Sequence, residues 1–440
     1  MSPTLILLML VAVSLLITWW WSYRERQLTH DGRAQLEVLS ELGDVVPPSL
    51  HPVVDPLRCI GSGSCVQACP EKQILRVVNR RAEVINPLAC VGHGACAAAC
   101  PTNAIQLVFG TAKRGLELPA IDAHFETNQE GVFIIGELGG MGLIRNAVEQ
   151  GRQAAAHIVA GGKRGAGEVL DAVVVGAGPA GLSAALALHE AGLRYAWLER
   201  EEELGGTILQ YPRAKVVMTG AMELALYGTV KKRTMHKEEL LTLWHAIAEK
   251  TGVRPTGGVL VTGVEVTPFD VRVRSADREW RAANVLLALG RSGAPQKLGV
   301  PGEQAPHVSY RLHEADAFAG KHVVVVGGGN SAVESALMLA NAGGCASVAI
   351  SYRKERFLRA RGDNRQAIER AIEQGRVTAH APSQVLAIHA GTLDLTVDGP
   401  SGRRTKTVPC DALIIQVGGT PPSQLLSSIG IELVTKYGER

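Results

Sequence analysis

Two short apolar runs along the chain are each followed by a glycine-rich turn and then by a longer apolar–polar pattern. The first run is LDAVVV at Leu170–Val175, and the second is HVVVV at His322–Val326. Short apolar runs that lead into glycines are typical of strands buried in a parallel sheet, and the patterns LSAALALHEAGL and AVESALMLANAG after the turns predict helices. Strand, glycine turn and helix in this order predict two Rossmann-like, three-layer α/β domains that bind dinucleotides.

A third apolar stretch, TLILLMLVAVSLLITWWW from Thr4 to Trp21, lies at the start of the chain. Roughly 20 such residues cross the hydrocarbon core as a helix, and tryptophans suit the membrane interface. Arginines follow this run but do not precede it, which favours an N-terminus outside the membrane. We therefore expect one transmembrane helix at 1–22, a stalk at 23–52 and a single-pass membrane protein with cytoplasmic catalytic domains. A cleaved signal peptide and a buried core helix are the alternatives.

Composition narrows the class of protein. The 440 residues carry 45 Lys and Arg against 42 Asp and Glu, a formal net charge of +3. This balance excludes a nucleic-acid-binding protein that works by releasing counterions. A single long apolar stretch excludes a multi-span transporter, and the length predicts several domains.

Six of the eight cysteines lie in two copies of one pattern. The first copy is CIGSGSCVQACP from Cys59 to Pro70, and the second is CVGHGACAAACP from Cys90 to Pro101. Both copies resemble the bacterial two-cluster ferredoxin motif C-x2-C-x2-C-x3-C-P, and the resemblance covers residues 55–108. It implies a small α+β ferredoxin-like domain at 53–112 that holds two iron–sulfur clusters.

In that ferredoxin family, each cluster takes three ligands from one run and the fourth from the other run. The resemblance therefore implies two sets of metal ligands, which are Cys59, Cys65 and Cys100 for one cluster and Cys69, Cys90 and Cys96 for the other. The second cysteine of the motif is replaced by Ser62 in the first copy and by His93 in the second. Three outcomes stay open: [4Fe–4S] clusters with Ser62 or His93 as the fourth ligand, [3Fe–4S] clusters that lack one corner, or the loss of a cluster.

The turn after the first strand reads Gly176-Ala-Gly178-Pro-Ala-Gly181, and an acid, Glu199, closes the next apolar run. Gly176 permits the tight turn, Gly178 lets the backbone approach a pyrophosphate, and Gly181 lets helix and strand pack closely. Glu199 lies at about the 20-residue distance expected of a carboxylate that binds a ribose. The first fold, at 168–302, is therefore predicted to bind a dinucleotide.

The second turn reads Gly-Gly-Gly-Asn-Ser-Ala at 327–332, and the next strand ends in Arg353 and Lys354 instead of an acid. A carboxylate there would favour NADH, whereas cations accommodate the 2′-phosphate of NADPH. We therefore expect NADPH rather than NADH in this domain, at 303–420; the alternative is that the cations are solvated surface. The predicted binding residues are Gly327, Gly329, Asn330, Ser331, Ala332, Arg353, Lys354 and Arg359.

Two dinucleotide folds in this order resemble the two-domain flavoproteins of the thioredoxin-reductase type, in particular the bacillithiol-disulfide-reductase-like branch. The resemblance covers most of residues 113–440. It implies that the first fold binds FAD and that the second fold, inserted into the first, binds NADPH. The residues assigned to FAD by turn and resemblance are Gly176, Gly178, Pro179, Ala180, Gly181, Glu199, Arg200, Gly206, Thr207, Gly290, Gly136 and Glu137.

One segment departs from the chain order of that family. There, a Thr…Gly-x-Phe-x-x-Gly-Asp/Glu pattern follows the nicotinamide domain and covers the flavin, whereas here the pattern lies upstream, from Thr127 to Glu137. We therefore predict a circularly permuted flavin domain, in which 113–162 docks beside 421–440.

A second departure concerns the redox cysteines. Thioredoxin reductases carry C-x-x-C on the nicotinamide domain, but this chain has only Cys345 and Cys410 there, each alone. Both are interpreted as small core residues rather than nucleophiles. A thiol–disulfide relay through the flavoprotein itself is therefore not expected.

These parts predict a membrane-anchored, NADPH-linked flavin and iron–sulfur oxidoreductase with no assigned catalytic acid or base. Electrons would pass between NADPH, FAD, the clusters and an external one-electron partner, such as a ferredoxin, a cytochrome or a quinone-linked protein. The alternatives are a low-molecular-weight disulfide reductase, the electron-input subunit of a larger complex and a non-enzymatic redox sensor. The flavoprotein resemblance also implies a homodimer.

Overall fold

A computed structural model describes the chain at residues 3–41, 47, 49–71, 74–90, 92–140, 142–211, 215–232, 234–290, 294–312, 314–360, 362–399, 402–420 and 422–438. The chain forms two compact units, Met1–Leu116 with Lys436–Arg440, and Glu117–Thr435. The helices are α1 (Pro3–Glu41), α2 (Ser64–Ala68), α3 (Ala95–Ala98), α4 (Ile144–Gly161), α5 (Pro179–Glu190), α6 (Lys237–Thr251), α7 (Asn330–Ala342), α8 (Gly362–Glu373) and α9 (Ser423–Ile429).

In the first unit, the cysteine repeat folds as two similar halves. Each half has a short helix, α2 or α3, directly after a glycine at φ +73°, Gly63 or Gly94. Such a left-handed backbone favours glycine, and it lets the chain turn sharply at the equivalent point of both copies. The strands form two antiparallel pairs, β1 with β4 and β2 with β3, and their bounds are β1 (His51–Val54), β2 (Leu75–Val78), β3 (Arg81–Val84) and β4 (Ile105–Val108).

The prediction of a membrane anchor at 1–22 is wrong, and with it the single-pass localisation. Among the residues that the structure describes, no helix has both the length and the apolar character to cross a membrane. The apolar run belongs to α1, which continues without a break through the charged residues that follow, as far as Glu41. Gly32 of α1 is buried, and a Cβ there would lie 2.6 Å from Val78 of β2, so part of this helix packs on the first unit.

In the second unit, the first dinucleotide fold is a sheet with apolar layers on both faces. The order is β13-β14-β15-β7-β8, and β6 also pairs with β15, in parallel. Alternate residues of β7 enter different cores: Ala172 and Val174 face the side covered by α4, α5 and α6, whereas Val173 and Val175 contact residues of β14 and α9. The bounds are β5 (Leu116–Pro119), β6 (Val132–Ile134), β7 (Leu170–Val175), β8 (Tyr195–Leu198), β9 (Val216–Met218), β10 (Met222–Leu224), β11 (Gly228–Val230), β12 (Thr234–His236), β13 (Gly263–Val266), β14 (Val271–Arg274) and β15 (Glu279–Leu287).

The second dinucleotide fold has three layers. Its parallel sheet runs β17-β24-β18-β19-β20, with α7 and α8 packed against one face and the antiparallel strands β21, β22 and β23 against the other. The two α/β domains predicted from the apolar runs are therefore confirmed. The bounds are β16 (Ala294–Pro295), β17 (Val308–Ser309), β18 (His322–Val326), β19 (Ser347–Ser351), β20 (Thr378–His380), β21 (Ser383–His389), β22 (Gly391–Gly399), β23 (Gly402–Cys410), β24 (Ala412–Ile415), β25 (Gly419–Thr420) and β26 (Leu433–Lys436).

The segment before β7 is part of the first dinucleotide fold. Strand β6 pairs with the end of β15, where Val132 lies opposite Val285, and α4 packs along α5. A Cβ at Gly151 of α4 would lie 2.2 Å from the Ala180 carbonyl oxygen, so the two helices approach as closely as a glycine allows. Asn128 Nδ2 and Gln129 Nε2 each donate to the Gly430 carbonyl oxygen at 2.9 Å, which ties this segment to the end of the chain.

Candidate cofactor sites

At the first glycine turn, Gly176 and Gly181 lie too close to neighbouring backbone to carry a side chain, whereas the position of Gly178 is open. Gly176 has a φ of +106°, and a Cβ at Gly181 would lie 1.9 Å from the Gly176 carbonyl oxygen. Gly178 instead has nothing within 4 Å of a Cβ position, directly before Pro179 opens α5. Free amide groups and the positive end of the helix dipole favour an anion at this opening. The turn therefore fits a dinucleotide pyrophosphate.

Glu199 is fixed beside this turn. Its side chain belongs to a buried residue, 5% exposed, and its carboxylate accepts hydrogen bonds from the backbone amides of Ala177 and, at 3.0 Å, of Glu201. A carboxylate held at the end of the second strand is what a ribose hydroxyl pair requires. Arg200 is exposed and lies 3.3 Å from Glu201 by its Nε atom, and the structure gives it no contact with the turn.

Four further predicted residues, Gly206, Thr207, Gly290 and Gly136, lie around the first glycine turn and the start of α5. A Cβ at Gly206, whose φ is +55°, would lie 3.0 Å from the Gly178 Cα. A Cβ at Gly290 would lie 3.7 Å from Thr207 Oγ1, which joins the end of β15 to the same loop. Gly136, from the upstream segment, comes within 3.1 Å of Ala180 by the same measure. The structure thus brings together residues that are far apart in the sequence.

The Gly136–Glu137 turn is held in place by residues that sequence reasoning missed. Gln150 of α4 accepts a hydrogen bond from the Gly136 amide through Oε1 at 2.7 Å. Burial and the charge of Glu137 together raise the pKa of Tyr211 to about 12, so the phenol is neutral and lies near that acid. A hydroxyl and an amide at this turn supply polar partners for a flavin chain.

Lys237 is another residue that the sequence did not reveal. Its ammonium group donates to the carbonyl oxygens of Leu209 and Tyr211, at 2.9 and 2.6 Å, and so closes the loop that begins at Gly206. Burial lowers the pKa of this lysine. Lys237 is far from both carbonyl groups in the sequence, and no local motif includes all three residues. The contact could therefore not be predicted from the sequence.

The second glycine turn is shaped by a tyrosine. A Cβ at Gly328 would lie 2.2 Å from the ring of Tyr352, which is buried and stacks on Phe357 with 5.5 Å between ring centroids. Gly327 has a φ of +144°, and a Cβ at Gly329 would meet nothing within 4 Å. As in the first fold, the open position lies at the start of a helix, here α7.

The remaining predicted NADPH residues surround this turn in two groups. Asn330, Ser331 and Ala332 form the first turn of α7, in which Ser331 is exposed and Ala332 is buried. The cations Arg353, Lys354 and Arg359 are all exposed. Burial raises the pKa of Tyr352, and the charges of Arg359 and Arg353 act in the opposite direction, so both guanidinium groups lie near the tyrosine at the glycine turn.

The first cysteine set lines one cleft. This cleft is partly open to solvent, and Ser62 borders it together with Cys59, Cys65 and Cys100. The backbone amides of Ala82 and Ala104 donate to the sulfurs of Cys59 and Cys100 at 3.3 and 3.2 Å. Burial raises the pKa of Cys65, and its neighbours Cys59 and Cys100 raise it further.

The second set is more deeply buried. Cys69, Cys90 and Cys96 are 3%, 6% and 5% exposed. Burial and the nearby Cys90 and Cys69 together raise the pKa of Cys96 to about 11. His93 lies in the loop between Cys90 and Cys96, and its Nε2 atom is buried. The structure thus groups the six cysteines in the two sets that the ferredoxin resemblance implied.

The chemistry of these donors fits clusters rather than single ions. Within the described ranges, no three His, Cys, Asp or Glu side chains are placed to hold one metal ion. In a [4Fe–4S] or [3Fe–4S] cluster each thiolate binds a different iron, so the ligands surround a volume and do not converge on a point. Hydrogen bonds from peptide amides to the cysteine sulfurs also help to set the reduction potential of such clusters.

The two single cysteines lie apart from this chemistry. Cys410 is fully buried, its thiol donates to the Ala412 carbonyl oxygen at 3.4 Å, and burial raises its pKa to about 12. Burial also raises the pKa of Cys345, which is half-buried. A raised pKa disfavours the thiolate, the form in which a cysteine acts as a nucleophile.

Together, the two dinucleotide folds and the paired cysteine sets define an FAD- and NAD(P)-dependent oxidoreductase with an iron–sulfur module. The family profile for pyridine nucleotide-disulphide oxidoreductases matches residues 173–438, and the profile for 4Fe-4S dicluster domains matches residues 51–101. The chain belongs to the pyridine nucleotide-disulphide oxidoreductase family.

Relatives and solved structures agree with this family. The chain is 31% identical over 278 residues to a ferredoxin–NADP reductase of Ignicoccus hospitalis, covering 60% of this chain and 82% of that protein. It is 26% identical over 273 residues to bacilliredoxin reductase Bdr of Bacillus subtilis, covering 61% and 82%. The fold is similar to bacillithiol disulfide reductase Bdr of Staphylococcus aureus, with a TM-score of 0.52, 20% identity, and coverage of 61% of this chain and 84% of that one.

These findings confirm three predictions. The protein is a FAD-dependent enzyme, its cofactors are FAD, NADPH and iron–sulfur clusters, and it joins a thioredoxin-reductase-like flavoprotein to a 4Fe-4S domain.

Proposed function

We propose that this enzyme passes electrons between NADPH and an external one-electron carrier by way of FAD and two iron–sulfur clusters. The observation that carries the proposal is the presence, on one chain, of two open glycine turns and two three-cysteine sets. NADPH delivers electrons in pairs and a cluster takes them singly, and bound FAD supplies the conversion between the two. A ferredoxin, a cytochrome or a quinone-linked protein would then be the partner, and the ferredoxin–NADP reductase relatives favour the first.

The residues of the first fold would hold FAD by three kinds of contact. The Glu199 carboxylate would accept the ribose hydroxyls, and the amides at the start of α5 would bind the pyrophosphate. The turns at Gly206–Thr207, Gly290 and Gly136–Glu137 would cover the rest of the molecule. Their convergence on Gly178 and Ala180 supports this assignment.

The upstream position of the Gly136 turn supports a circularly permuted flavin domain. In this reading, 113–162 supplies the strand and helix that follow the nicotinamide domain in the resembled flavoproteins. The pairing of β6 with β15 and the hydrogen bonds from Asn128 and Gln129 to Gly430 favour it.

In the second fold, Gly327, Gly329 and the first turn of α7 would bind the pyrophosphate of NADPH. Arg353, Lys354 and Arg359 would neutralise the 2′-phosphate, since cations at the end of the second strand favour that group. Replacing both Arg353 and Lys354 by alanine is therefore expected to raise the KM for NADPH about tenfold, the effect of losing roughly one charge-assisted contact.

The measurement is steady-state turnover with each nucleotide and ferricyanide as acceptor. The KM for NADH should change little, and the double variant Arg404→Ala/Lys406→Ala, on the exposed strand β23, should leave both constants unaltered. An unchanged ratio of NADPH to NADH efficiency in the first variant would refute the phosphate site.

For the clusters, we propose Cys59, Cys65 and Cys100 as ligands of one and Cys69, Cys90 and Cys96 as ligands of the other. Ser62 lines the first cleft, and the buried Nε2 of His93 lies in the second loop, so each is a candidate for the fourth corner. A neutral imidazole in place of a thiolate raises the reduction potential, so the cluster near His93 would have the higher intrinsic tendency to accept an electron if His93 binds iron.

The test is an anaerobic titration of the full-length protein with NADPH, followed by visible absorbance and electron paramagnetic resonance. We expect the flavin absorbance to bleach and a reduced-cluster signal to appear in the same titration. Bleached flavin without any cluster signal would show that electrons do not reach the clusters, and the proposal would fail.

A second candidate is an NADPH-dependent reductase of low-molecular-weight disulfides. The bacilliredoxin reductase relative favours it, whereas the isolated positions of Cys345 and Cys410 and the attached clusters do not. Thiol release from a small disulfide in the presence of NADPH would select it. A stoichiometric partner on purification would instead indicate a subunit of a larger complex, and slow turnover with every acceptor a redox sensor.

A further inference from the structure

The two cysteine sets differ in their access to solvent. The cleft of Cys59, Cys65 and Cys100 is open, whereas all three cysteines of the other set are buried. Beside the open cleft stand two large apolar side chains with no cover: Leu57 is 92% exposed and Ile60, which lines the cleft, is 67% exposed. Uncovered apolar groups of this size at a functional cleft mark a contact surface.

Three arginines lie on the segments that carry or approach these apolar residues. Arg58 directly precedes Cys59, and Arg81 directly precedes Ala82, whose amide donates to the Cys59 sulfur. The Arg80 carbonyl oxygen would lie 2.2 Å from a Cβ at Gly61, so the turn of the β2–β3 hairpin closes on the edge of the cleft. All three arginine side chains are exposed.

No carboxylate among the described residues forms an ion pair with these three arginines. Three acids, Asp55, Glu71 and Glu83, lie in the same part of the chain, and Glu71 lies near Cys90 of the other set. Asp55 accepts a hydrogen bond from the Leu57 amide at 2.9 Å, and Glu83 lies opposite Arg76 across the hairpin. The charge that the surface presents to a partner is therefore positive.

We propose that this surface, formed by Leu57, Arg58, Ile60, Arg80 and Arg81, is the docking site of an acidic one-electron carrier protein, and that the cluster of Cys59, Cys65 and Cys100 is the point of electron exit. The inference rests on the proposed function and adds the partner's charge and the site of contact. An apolar centre with a charged rim is the usual build of a transient protein interface. Arginines on the rim raise the rate of encounter with an acidic protein. High salt screens their charges, so this acceleration is lost at high salt.

The test uses the full-length protein, NADPH and an acidic [2Fe–2S] ferredoxin as the acceptor. Reversing three charges, in Arg58→Glu/Arg80→Glu/Arg81→Glu, is expected to lower the second-order rate of ferredoxin reduction about tenfold or more at low salt. The difference should nearly vanish at ~0.5 M salt, where charges are screened within a few ångströms. Leu57→Ser/Ile60→Ser should lower the rate at every salt concentration, because an apolar contact is not screened.

The matched control reverses three exposed cations of the second unit, in Lys231→Glu/Arg404→Glu/Lys406→Glu, and is expected to keep the wild-type rate. Iron, sulfide and visible spectra verify that each variant retains its clusters; if the glutamate triple does not, the triple Arg→Gln variant replaces it. Equal rates in the wild type and the reversed protein, or an equal loss in the control, would overturn the docking site.

Two further results separate this inference from the proposed function. If NADPH reduces the clusters but ferredoxin reduction is insensitive to salt and to the arginines, the docking site is wrong and the relay stands. If NADPH does not reduce the clusters of the wild type, the relay itself fails. Binding to phosphatidylserine vesicles that the arginine variant loses, with an unchanged ferredoxin rate, would assign the surface to anionic lipid and overturn the carrier proposal.

Discussion

Replacing Cys65 by alanine is expected to remove one cluster and to leave the other. Cys65 is 6% exposed and lines the same cleft as Cys59 and Cys100. Alanine offers no ligand, and two remaining thiolates do not hold a cubane. Iron and acid-labile sulfide per FAD should fall to roughly half if, as proposed, each cluster takes its ligands from its own set.

Cys96→Ala provides the reciprocal variant, which should remove the other cluster and so show a different paramagnetic signal. Cys410→Ala is the matched control, because that cysteine is buried in the nicotinamide domain and should keep the full iron content. Loss of both clusters in either single variant would contradict the assignment to independent sets, as would retention of all iron.

Replacing Gly181 by valine is expected to abolish the binding of FAD. A Cβ at this position would lie 1.9 Å from the Gly176 carbonyl oxygen, a contact that no side-chain rotation can relieve. The helix would have to move away from the strand, and the pyrophosphate opening at Gly178 would be lost with it. Bound FAD per protein should fall by about tenfold or more, measured by flavin absorbance after gel filtration.

Gly161→Val is the matched control, because a Cβ at this last residue of α4 would meet nothing within 4 Å. Glu199→Gln provides a milder variant that leaves the backbone unchanged and should weaken FAD binding without removing it. Iron content reports on the first unit and should persist in all three proteins. Stoichiometric flavin in Gly181→Val would mean that the turn does not form the FAD site.

The sequence predicts the parts of the molecule that are recorded in short segments. Gly176, Gly178 and Gly181 follow a strand directly, and the structure shows the close contacts and the opening that their spacing implies. The cysteine repeat likewise predicts which sulfurs come together, since its spacing resembles a known motif. Both signals are local or repeated in the sequence, so they can be recognised without knowledge of the tertiary fold.

Other parts depend on contacts between distant segments. Lys237 holds the carbonyl oxygens of Leu209 and Tyr211, and Tyr352 packs on Gly328, yet neither pair belongs to any periodic pattern. The apolar run at the N-terminus, by contrast, is a local pattern that led to a wrong prediction. Its hydropathy alone predicted a membrane span, but hydropathy does not record that the run is one part of the longer helix α1.

Strand β6 and helix α4 precede the first glycine turn in the chain, and both are part of the first dinucleotide fold. A fragment starting at residue 168 would retain both glycine turns and the pairing of β15 with β7, but it would leave the other edge of β15 without a partner at Val285–Leu287 and strip the apolar cover from α5. An exposed strand edge can pair with strands of other chains, so we expect such a fragment to aggregate. Residues 132–161 are therefore as much a part of the reductase fold as its two glycine turns.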